Sequence, residues 1–276
     1  MKTGVQRTYN YLKGLDSGFR RNDRKAYLQT FYEIIIFDSL SIRKEMSDIA
    51  ENLKRVEERM DAAARRAGRN PEEIRLVAVS KTIATERVLQ AIQAGVKILG
   101  ENYVQEAKEK IENVGHNVGW HFIGHLQTNK AKMAVRLFDL IHSVDSFNLA
   151  NELNRAAEQQ GKVLPVLLQI SLSGEATKFG ASEKEIFRMA EEMSKMPALS
   201  GVGLMTMPPY FENPEDSRIY FIKLRKLGER LRQENIPRIV VNELSMGMSN
   251  DFEVAIEEGA TLVRVGTAIF GPRLSY

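Results

Sequence analysis

The sequence predicts a single closed barrel of eight parallel β-strands alternating with helices, the (β/α)8 TIM-type fold. Beyond Gly68, short apolar strand-like segments alternate with amphipathic helical segments at intervals of roughly 20 to 35 residues. Eight such repeats fit into residues 46–276, close to the roughly 250 residues typical of this barrel. The alternative is an open doubly wound sheet, which favours a GxGxxG-like turn after the first strand, and the sequence has none there.

The first 45 residues do not share this pattern. They mix polar turn-forming residues with an isolated apolar burst, and they carry nine Lys/Arg against five Asp/Glu, whereas the remainder is close to neutral. We expect residues 1–45 to be a disordered or non-native extension, with Met46 as the natural start and residues 46–276 as the barrel domain. A basic balance confined to a short tail does not predict a nucleic-acid partner.

An additional helix is expected before the first strand. Apolar residues recur there at three- and four-residue steps, the spacing of a helix with one buried face. These residues are Ile49, Leu53, Val56, Met60 and Ala63. Ser47 suits the N-cap position, and Gly68 follows the last turn.

Eight segments have the composition of strands: residues 75–80, 97–101, 120–124, 140–144, 164–171, 201–206, 238–243 and 262–266. The segments between them have helical spacing, for example ATERVLQAIQAG, NLANELNRAAEQQG, SEKEIFRMAEEMSKM and DSRIYFIKLRKLGERLRQEN. Several end in Gly or Asn, which favours termination of a helix.

The composition excludes several classes of protein. The chain has no cysteine, so disulfides, cysteine nucleophiles and cysteine-ligated metals are excluded. Its four histidines lack HExxH-like spacing, and no zinc site is expected. No apolar run approaches the roughly 18 to 20 residues that span a bilayer, and no secretory signal is recognisable. We therefore expect a cytoplasmic protein without a membrane partner.

The first strand ends in a lysine. In this fold the chemistry lies at the carboxyl ends of the strands, and the segment RLVAVSKT places Lys81 there. Burial of its stem at the barrel mouth would lower its pKa from about 10.4 toward the range in which the neutral amine attacks an aldehyde. The alternative is a structural lysine that extends its ammonium group into water.

Small residues and hydroxyl groups follow the last two strands. The segment SMGMSND supplies Ser245, Gly247 and Ser249 after the seventh strand, just before a helix. Gly266 and Thr267 follow the eighth strand. Exposed backbone N–H groups at such turns bind phosphate, and this is a common phosphate site of the barrel. Ordinary turn and capping chemistry is the alternative explanation.

An arginine lies within the last strand. Arg264 is in phase with Leu262 and Gly266, so its guanidinium is expected to face the barrel interior. A buried guanidinium needs an acceptor, which is either a structural carboxylate or a ligand. An amine, a phosphate-binding turn and an inward arginine together match the aldehyde, phosphate and ring nitrogen of pyridoxal 5′-phosphate (PLP).

Seven segments carry a resemblance to a known family: VAVSK, GENYVQEA, WHFIGHLQTNK, GEATKFG, GLMTM, LSMGMSND and VRVGTAIFG. They resemble the YggS/PROSC family of PLP-binding proteins, also called the PLP homeostasis proteins, over residues 49–273. The resemblance implies a barrel like the N-terminal domain of alanine racemase, with PLP as the cofactor. The site residues that it implies are Lys81 as the Schiff-base lysine, Asn102 near the ring, Arg264 facing the ring nitrogen, and Ser245, Met246, Ser249, Gly266 and Thr267 around the phosphate.

The function that the resemblance implies is covalent, reversible binding of PLP in PLP homeostasis, by buffering or delivery, with little or no turnover. An arginine at the ring nitrogen disfavours a proton there, which weakens the ring as an electron sink. Two enzyme classes stay open as alternatives: a PLP-dependent amino-acid racemase, and a class I aldolase whose lysine binds the substrate. We expect a monomer, with apo PLP-dependent enzymes as candidate partners.

Overall fold

The computed structural model describes residues 48–172 and 179–272. Within them, eight parallel strands close into one barrel in which successive strands are neighbours and β8 pairs with β1. The predicted (β/α)8 barrel is therefore confirmed. The expected extension over residues 1–45, the start at Met46 and the N-cap at Ser47 lie outside the described residues and stay predictions.

The strands are β1 (Arg75–Val79), β2 (Ile98–Glu101), β3 (Gly119–Phe122), β4 (Leu140–Val144), β5 (Leu164–Ile170), β6 (Leu199–Thr206), β7 (Ile239–Met248) and β8 (Leu262–Val265). The helices are α1 (48–66), α2 (Thr85–Gln93), α3 (Val104–Val114), α4 (Ala131–Leu137), α5 (Phe147–Gln159), α6 (Glu183–Met193), α7 (Arg218–Gln233), α8 (Phe252–Glu257) and α9 (Thr267–Phe270). No helix in the described part of the chain is long and apolar enough to cross a membrane.

Helix α1 is the expected additional helix, and its five periodic apolar residues are all buried in the main hydrophobic core. Gly68 follows it with φ of +67°, the left-handed conformation that ends a helix. Helix α6 begins with a capping box, in which the Ser182 hydroxyl accepts from the Glu185 N–H and the Glu185 carboxylate accepts from the Ser182 N–H. These local signals explain why the helix ends could be predicted.

The predicted end of β7 was wrong. The strand continues five residues beyond residue 243, so Ser245 and Met246 belong to the strand and only Ser249 belongs to the turn after it. The pairing with β8 continues across a register shift. Gly247 makes this possible, because its φ is +88° and a Cβ there would lie 2.5 Å from the Ala255 Cβ.

The barrel interior changes from apolar to polar toward its carboxyl-terminal mouth. One interior layer consists of Val77, Leu140, Leu167, Met205 and Leu262. Two residues further along β4, β5 and β8, the inward positions are polar: His142, Gln169 and Arg264. Since alternate residues of a strand share a face, these polar groups lie on top of the apolar layer. The fold thereby places a polar floor beneath the mouth.

Candidate functional site

The strand register brings the predicted site residues to one mouth. Ala78 of β1 pairs with Val265 of β8, and the next residue, Val79, pairs with Gly100 of β2. The next residues along β8, β1 and β2 are therefore neighbours at the same end of the barrel: Gly266, Ser80 and Glu101. Strand β7 is next to β8. The segments that carry Lys81, Asn102, Ser249, Gly266 and Thr267 thus lie at the ends of four adjacent strands.

Lys81 lies in a tight turn just beyond β1 and is half-buried. The Ser80 N–H donates to the Gly100 carbonyl at 3.0 Å, and the Ile83 N–H donates to the Ser80 carbonyl at 3.0 Å. Thr82 has φ of +62°, a conformation that side chains with branched Cβ rarely adopt. A turn held in this way fixes the Cα position of Lys81.

A buried charge cluster outside the barrel holds the same turn. Lys110 of α3 donates to the Ser80 carbonyl, to Glu101 Oε1 at 2.7 Å and to Glu106 Oε1 at 2.7 Å. The Ser80 hydroxyl donates to Glu101 Oε1 at 2.7 Å, and the Thr82 N–H donates to Glu106 Oε1. Burial raises the pKa of Glu101, and Lys110 and the Ser80 hydroxyl oppose that rise. The cluster was not predicted, because its partners lie on different elements.

Arg264 faces the barrel interior, as its phase in β8 predicted, and it is 3% exposed. Its guanidinium donates from Nη1 to the Ser245 hydroxyl and from Nη2 to the Thr206 carbonyl at 2.9 Å. Both partners are neutral, and no carboxylate in the described part of the chain forms an ion pair with it. Burial lowers the pKa of Arg264 to about 10, so it remains a cation at neutral pH. The carboxylate of Asp251 attracts the guanidinium and raises its pKa, but among the described residues no carboxylate is in direct contact with it.

Two histidines continue this interior polar layer, and sequence reasoning missed them. His142 Nδ1 lies 2.9 Å from the Ser245 hydroxyl, and His142 Nε2 lies 3.0 Å from His121 Nδ1. Burial is the first cause that lowers the pKa of both, to about 3 for His121 and well below the usual value for His142. The signal was available, since each histidine lies at an inward position of an apolar strand.

Stability should therefore fall as the pH drops below about 6.5, the pKa of an unfolded histidine. Between pH 6.5 and about pH 3, His121 is protonated in the unfolded chain and neutral in the folded protein. The stability present above pH 6.5 is lost toward pH 3, at about 1.4 kcal/mol per pH unit for each such histidine. We expect urea unfolding between pH 7 and pH 5 to show a smaller loss for His121→Gln. The exposed His116→Gln should behave as wild type, and an unchanged slope for His121→Gln would contradict the prediction.

The turns after β7 and β8 are joined at the mouth. The Gly266 N–H donates to the Ser249 hydroxyl at 3.2 Å. The N–H groups of Thr267 and Ala268 at the start of α9 have no hydrogen-bond acceptor among the described residues. Together with the Ser249 hydroxyl, these N–H groups form a cluster of hydrogen-bond donors that could bind an anion.

Met246 is the predicted site residue whose side chain the structure places elsewhere. It is fully buried in the hydrophobic core between the sheet and the helices, because its neighbour Ser245 occupies the inward position. Met246 therefore has only main-chain atoms to offer to the site. Asn102 is half-buried directly after β2, and its backbone is in close contact with Gly124.

These features define a class of protein: a (β/α)8 barrel with a lysine at the end of its first strand and an arginine inside its last. Residues 51–273 match the family described as "Alanine racemase, N-terminal domain". The Pyridoxal phosphate homeostasis protein of Aquifex aeolicus is 46% identical over 224 residues, which cover 81% of this chain and 97% of that protein. The protein of the same name from Escherichia coli K12 is 40% identical, with 83% of this chain and 98% of that protein covered.

A solved structure supports the same relationship. PipY of Synechococcus elongatus PCC7942, with PLP bound, is 35% identical with a TM-score of 0.72, and the match covers 81% of this chain and all of PipY. The chain belongs to the alanine racemase N-terminal domain family and, within it, to the pyridoxal phosphate homeostasis proteins.

Proposed function

We propose that this chain binds PLP covalently and reversibly through Lys81 and takes part in intracellular PLP homeostasis, by buffering or delivering the cofactor, with little or no turnover. The strand register carries the proposal, because it brings the Lys81 turn, Arg264 and the joined turns at Ser249 and Gly266 to one mouth. PipY binds PLP, and the relatives are named as homeostasis proteins and not as enzymes. A cytoplasmic monomer with apo PLP-dependent enzymes as recipients belongs to the same proposal.

The residues at the mouth fit the three functional groups of PLP, which supplies an aldehyde, a pyridine nitrogen and a phosphate. Arg264 has five N–H donors and uses two of them with described residues, and one of the remaining three would donate to the pyridine nitrogen. The Ser249 hydroxyl and the N–H groups of Thr267 and Ala268 would hold the phosphate. Asn102 would lie beside the ring.

Lys81 would attack the aldehyde carbon as a neutral amine. One water leaves as the C=N bond forms, and addition of water to that bond returns the free amine and the aldehyde. No oxidant, reductant or further reactant is consumed. The attachment is therefore reversible, as a carrier requires.

Two features support little turnover. Arg264 is cationic at neutral pH, and a cation at the pyridine nitrogen disfavours its protonation, which weakens the ring as an electron sink. Racemisation also needs a second acid/base group. Tyr103 follows β2 and Tyr210 follows β6, and they are 61% and 76% exposed. Side chains as exposed as these are poorly placed to act as a buried acid/base group.

The proposal is tested by adding PLP to protein freed of cofactor. We expect one equivalent to bind, with the visible absorbance of lysine-bound PLP, because one lysine lies beside one anion-binding set. The loaded protein should not accelerate α-deuteration of a panel of amino acids in D2O above a protein-free PLP control. Absence of any spectral change would favour the aldolase, and α-deuteration above the control would favour the racemase.

A further inference from the structure

A chain of hydrogen bonds lies beneath Arg264 inside the barrel. It runs from the Arg264 guanidinium to the Ser245 hydroxyl, from there to His142 Nδ1 at 2.9 Å, and from His142 Nε2 to His121 Nδ1 at 3.0 Å. All four residues are buried and occupy inward positions of β8, β7, β4 and β3. We refer to Arg264, Ser245, His142 and His121 as the interior relay.

The interior relay provides hydrogen-bond acceptors that offset the cost of burying the Arg264 guanidinium. Removing a guanidinium from water is costly unless an opposite charge or oriented hydrogen-bond acceptors compensate. In the described part of the chain, Arg264 has two neutral oxygen acceptors and no carboxylate partner. Asp251, in the turn after β7, attracts the guanidinium without pairing with it and raises its pKa. The groups in direct contact with the guanidinium are neutral dipoles.

The direction of the hydrogen bonds follows from the chemistry of the end groups. Arg264 can only donate, so the Ser245 oxygen accepts from it and the hydroxyl proton is free to be donated to His142 Nδ1. Neutral His142 then carries its proton on Nε2 and donates to His121 Nδ1, and His121 carries its proton on Nε2. In this order every acceptor faces the guanidinium, and the polarisations of the bonds add.

The reverse order is disfavoured by charge. In the reverse order, His142 Nδ1–H would donate to the Ser245 oxygen, which already accepts from a cation. The positive end of that N–H dipole would then face Arg264. Arg75 opposes the favoured order from the far end, since its charge lowers the pKa of His121. However, Arg75 is 45% exposed and paired with Glu243 at 2.6 Å, so its field is screened. Arg264 is buried without an ion pair, and at His142 its charge acts more strongly than that of Arg75, whereas at His121 the acting charge is that of Arg75. The order of the hydrogen bonds is therefore set at Ser245 and His142, and His121 follows from it.

We propose that His142 and His121 are positioning residues for Arg264, and that the interior relay takes the place of a carboxylate in direct contact with the guanidinium. A carboxylate would neutralise the guanidinium and occupy its N–H fork in a bidentate pair. The interior relay holds Arg264 at one edge and leaves its charge and its remaining donors for a ligand. The ligand part rests on the proposed function, whereas the relay itself is a property of the ligand-free protein.

The first test uses ligand-free protein labelled with ¹⁵N in histidine. Long-range ¹H–¹⁵N spectra at pH 7 should show His142 and His121 neutral, both with the proton on Nε2 and with a hydrogen-bonded Nδ1. His116→Gln and His125→Gln identify the two exposed histidines by loss of their signals. A proton on Nδ1 of either relay histidine, or a charged imidazole, would overturn the proposal.

The second test compares two substitutions of one residue. His142→Asn keeps an acceptor where Nδ1 lies, whereas His142→Phe keeps the ring shape and removes the acceptor. We expect the Kd for PLP to rise about tenfold or more in His142→Phe and to return to within about threefold of wild type in His142→Asn. The absorbance maximum of bound PLP should shift in the phenylalanine variant alone.

Ser245→Ala breaks the interior relay by removing one oxygen and serves if His142→Phe does not fold. Unchanged PLP affinity in Ser245→Ala, or equal losses in the two His142 variants, would overturn the proposal. Failure of the proposed function would appear differently. Wild-type protein would then bind no PLP although the histidine signals follow the expected pattern.

Discussion

Replacement of Lys81 by alanine is expected to abolish covalent attachment of PLP and to leave the barrel folded. The turn around Lys81 is held by main-chain groups of its neighbours, which accept from or donate to Gly100, Lys110 and Glu106. These bonds survive when the Lys81 side chain is shortened. The change in the free energy of unfolding should stay within about 1 kcal/mol, as for substitutions outside the core. The substitution removes the amine that would bind the aldehyde of PLP.

The measurement is borohydride reduction of PLP-loaded protein followed by peptide mass spectrometry. Wild type should carry one PLP-derived mass increment on the peptide that contains Lys81. The alanine variant should carry none, and gel filtration should release its PLP. Lys130→Ala is the matched control. Lys130 is also half-buried, and it lies in the segment that follows the carboxyl end of β3. Full labelling of the Lys81→Ala variant would exclude Lys81 as the attachment site.

The architecture could be predicted because its signals are local. All eight strands lie where short apolar segments were recognised, and most of their ends agree within about two residues, the usual scatter of such boundaries. The stripe from Ile49 to Ala63 predicts α1, since it has the period of a buried helix face. The end of β7 was missed because Ser245, Gly247 and Ser249 have the composition of a turn. Only the packing of Gly247 against α8 shows why the strand continues.

The site divides in the same way. Lys81 and Arg264 could be placed from their positions at a strand end and in strand phase, which are properties of a few adjacent residues. The interior relay and the complete Lys110 cluster could not, because each joins different elements: Ser245 and His142 are separated by 103 residues, and Lys110 and Ser80 by 30. Their geometry depends on closure of the barrel. A sequence shows which faces are inward, but it does not show which inward groups meet.

Gly124→Ala is expected to be the most disruptive addition of a single methyl group near the site, because Gly124 packs closely against the backbone of Asn102. Gly124 lies two residues beyond β3, and a Cβ there would be 2.3 Å from the Asn102 carbonyl oxygen and 2.6 Å from its Cα. These are backbone atoms, so they cannot rotate away as a side chain could. We expect a loss of about 3 kcal/mol or more in the free energy of unfolding.

Gly119→Ala at the start of β3 is the matched control. Its Cβ would meet Ile98 Cγ1 and the Lys97 carbonyl at 3.6 Å, which is ordinary van der Waals contact, so the stability should change by less than about 1 kcal/mol. Where Gly124→Ala still folds, relief of the clash must displace Asn102 from the end of β2. Its affinity for PLP should then fall while that of Gly119→Ala is retained. Urea unfolding and PLP titration of both variants measure the two effects, and equal stability of the pair would show that the backbone at Asn102 yields without cost.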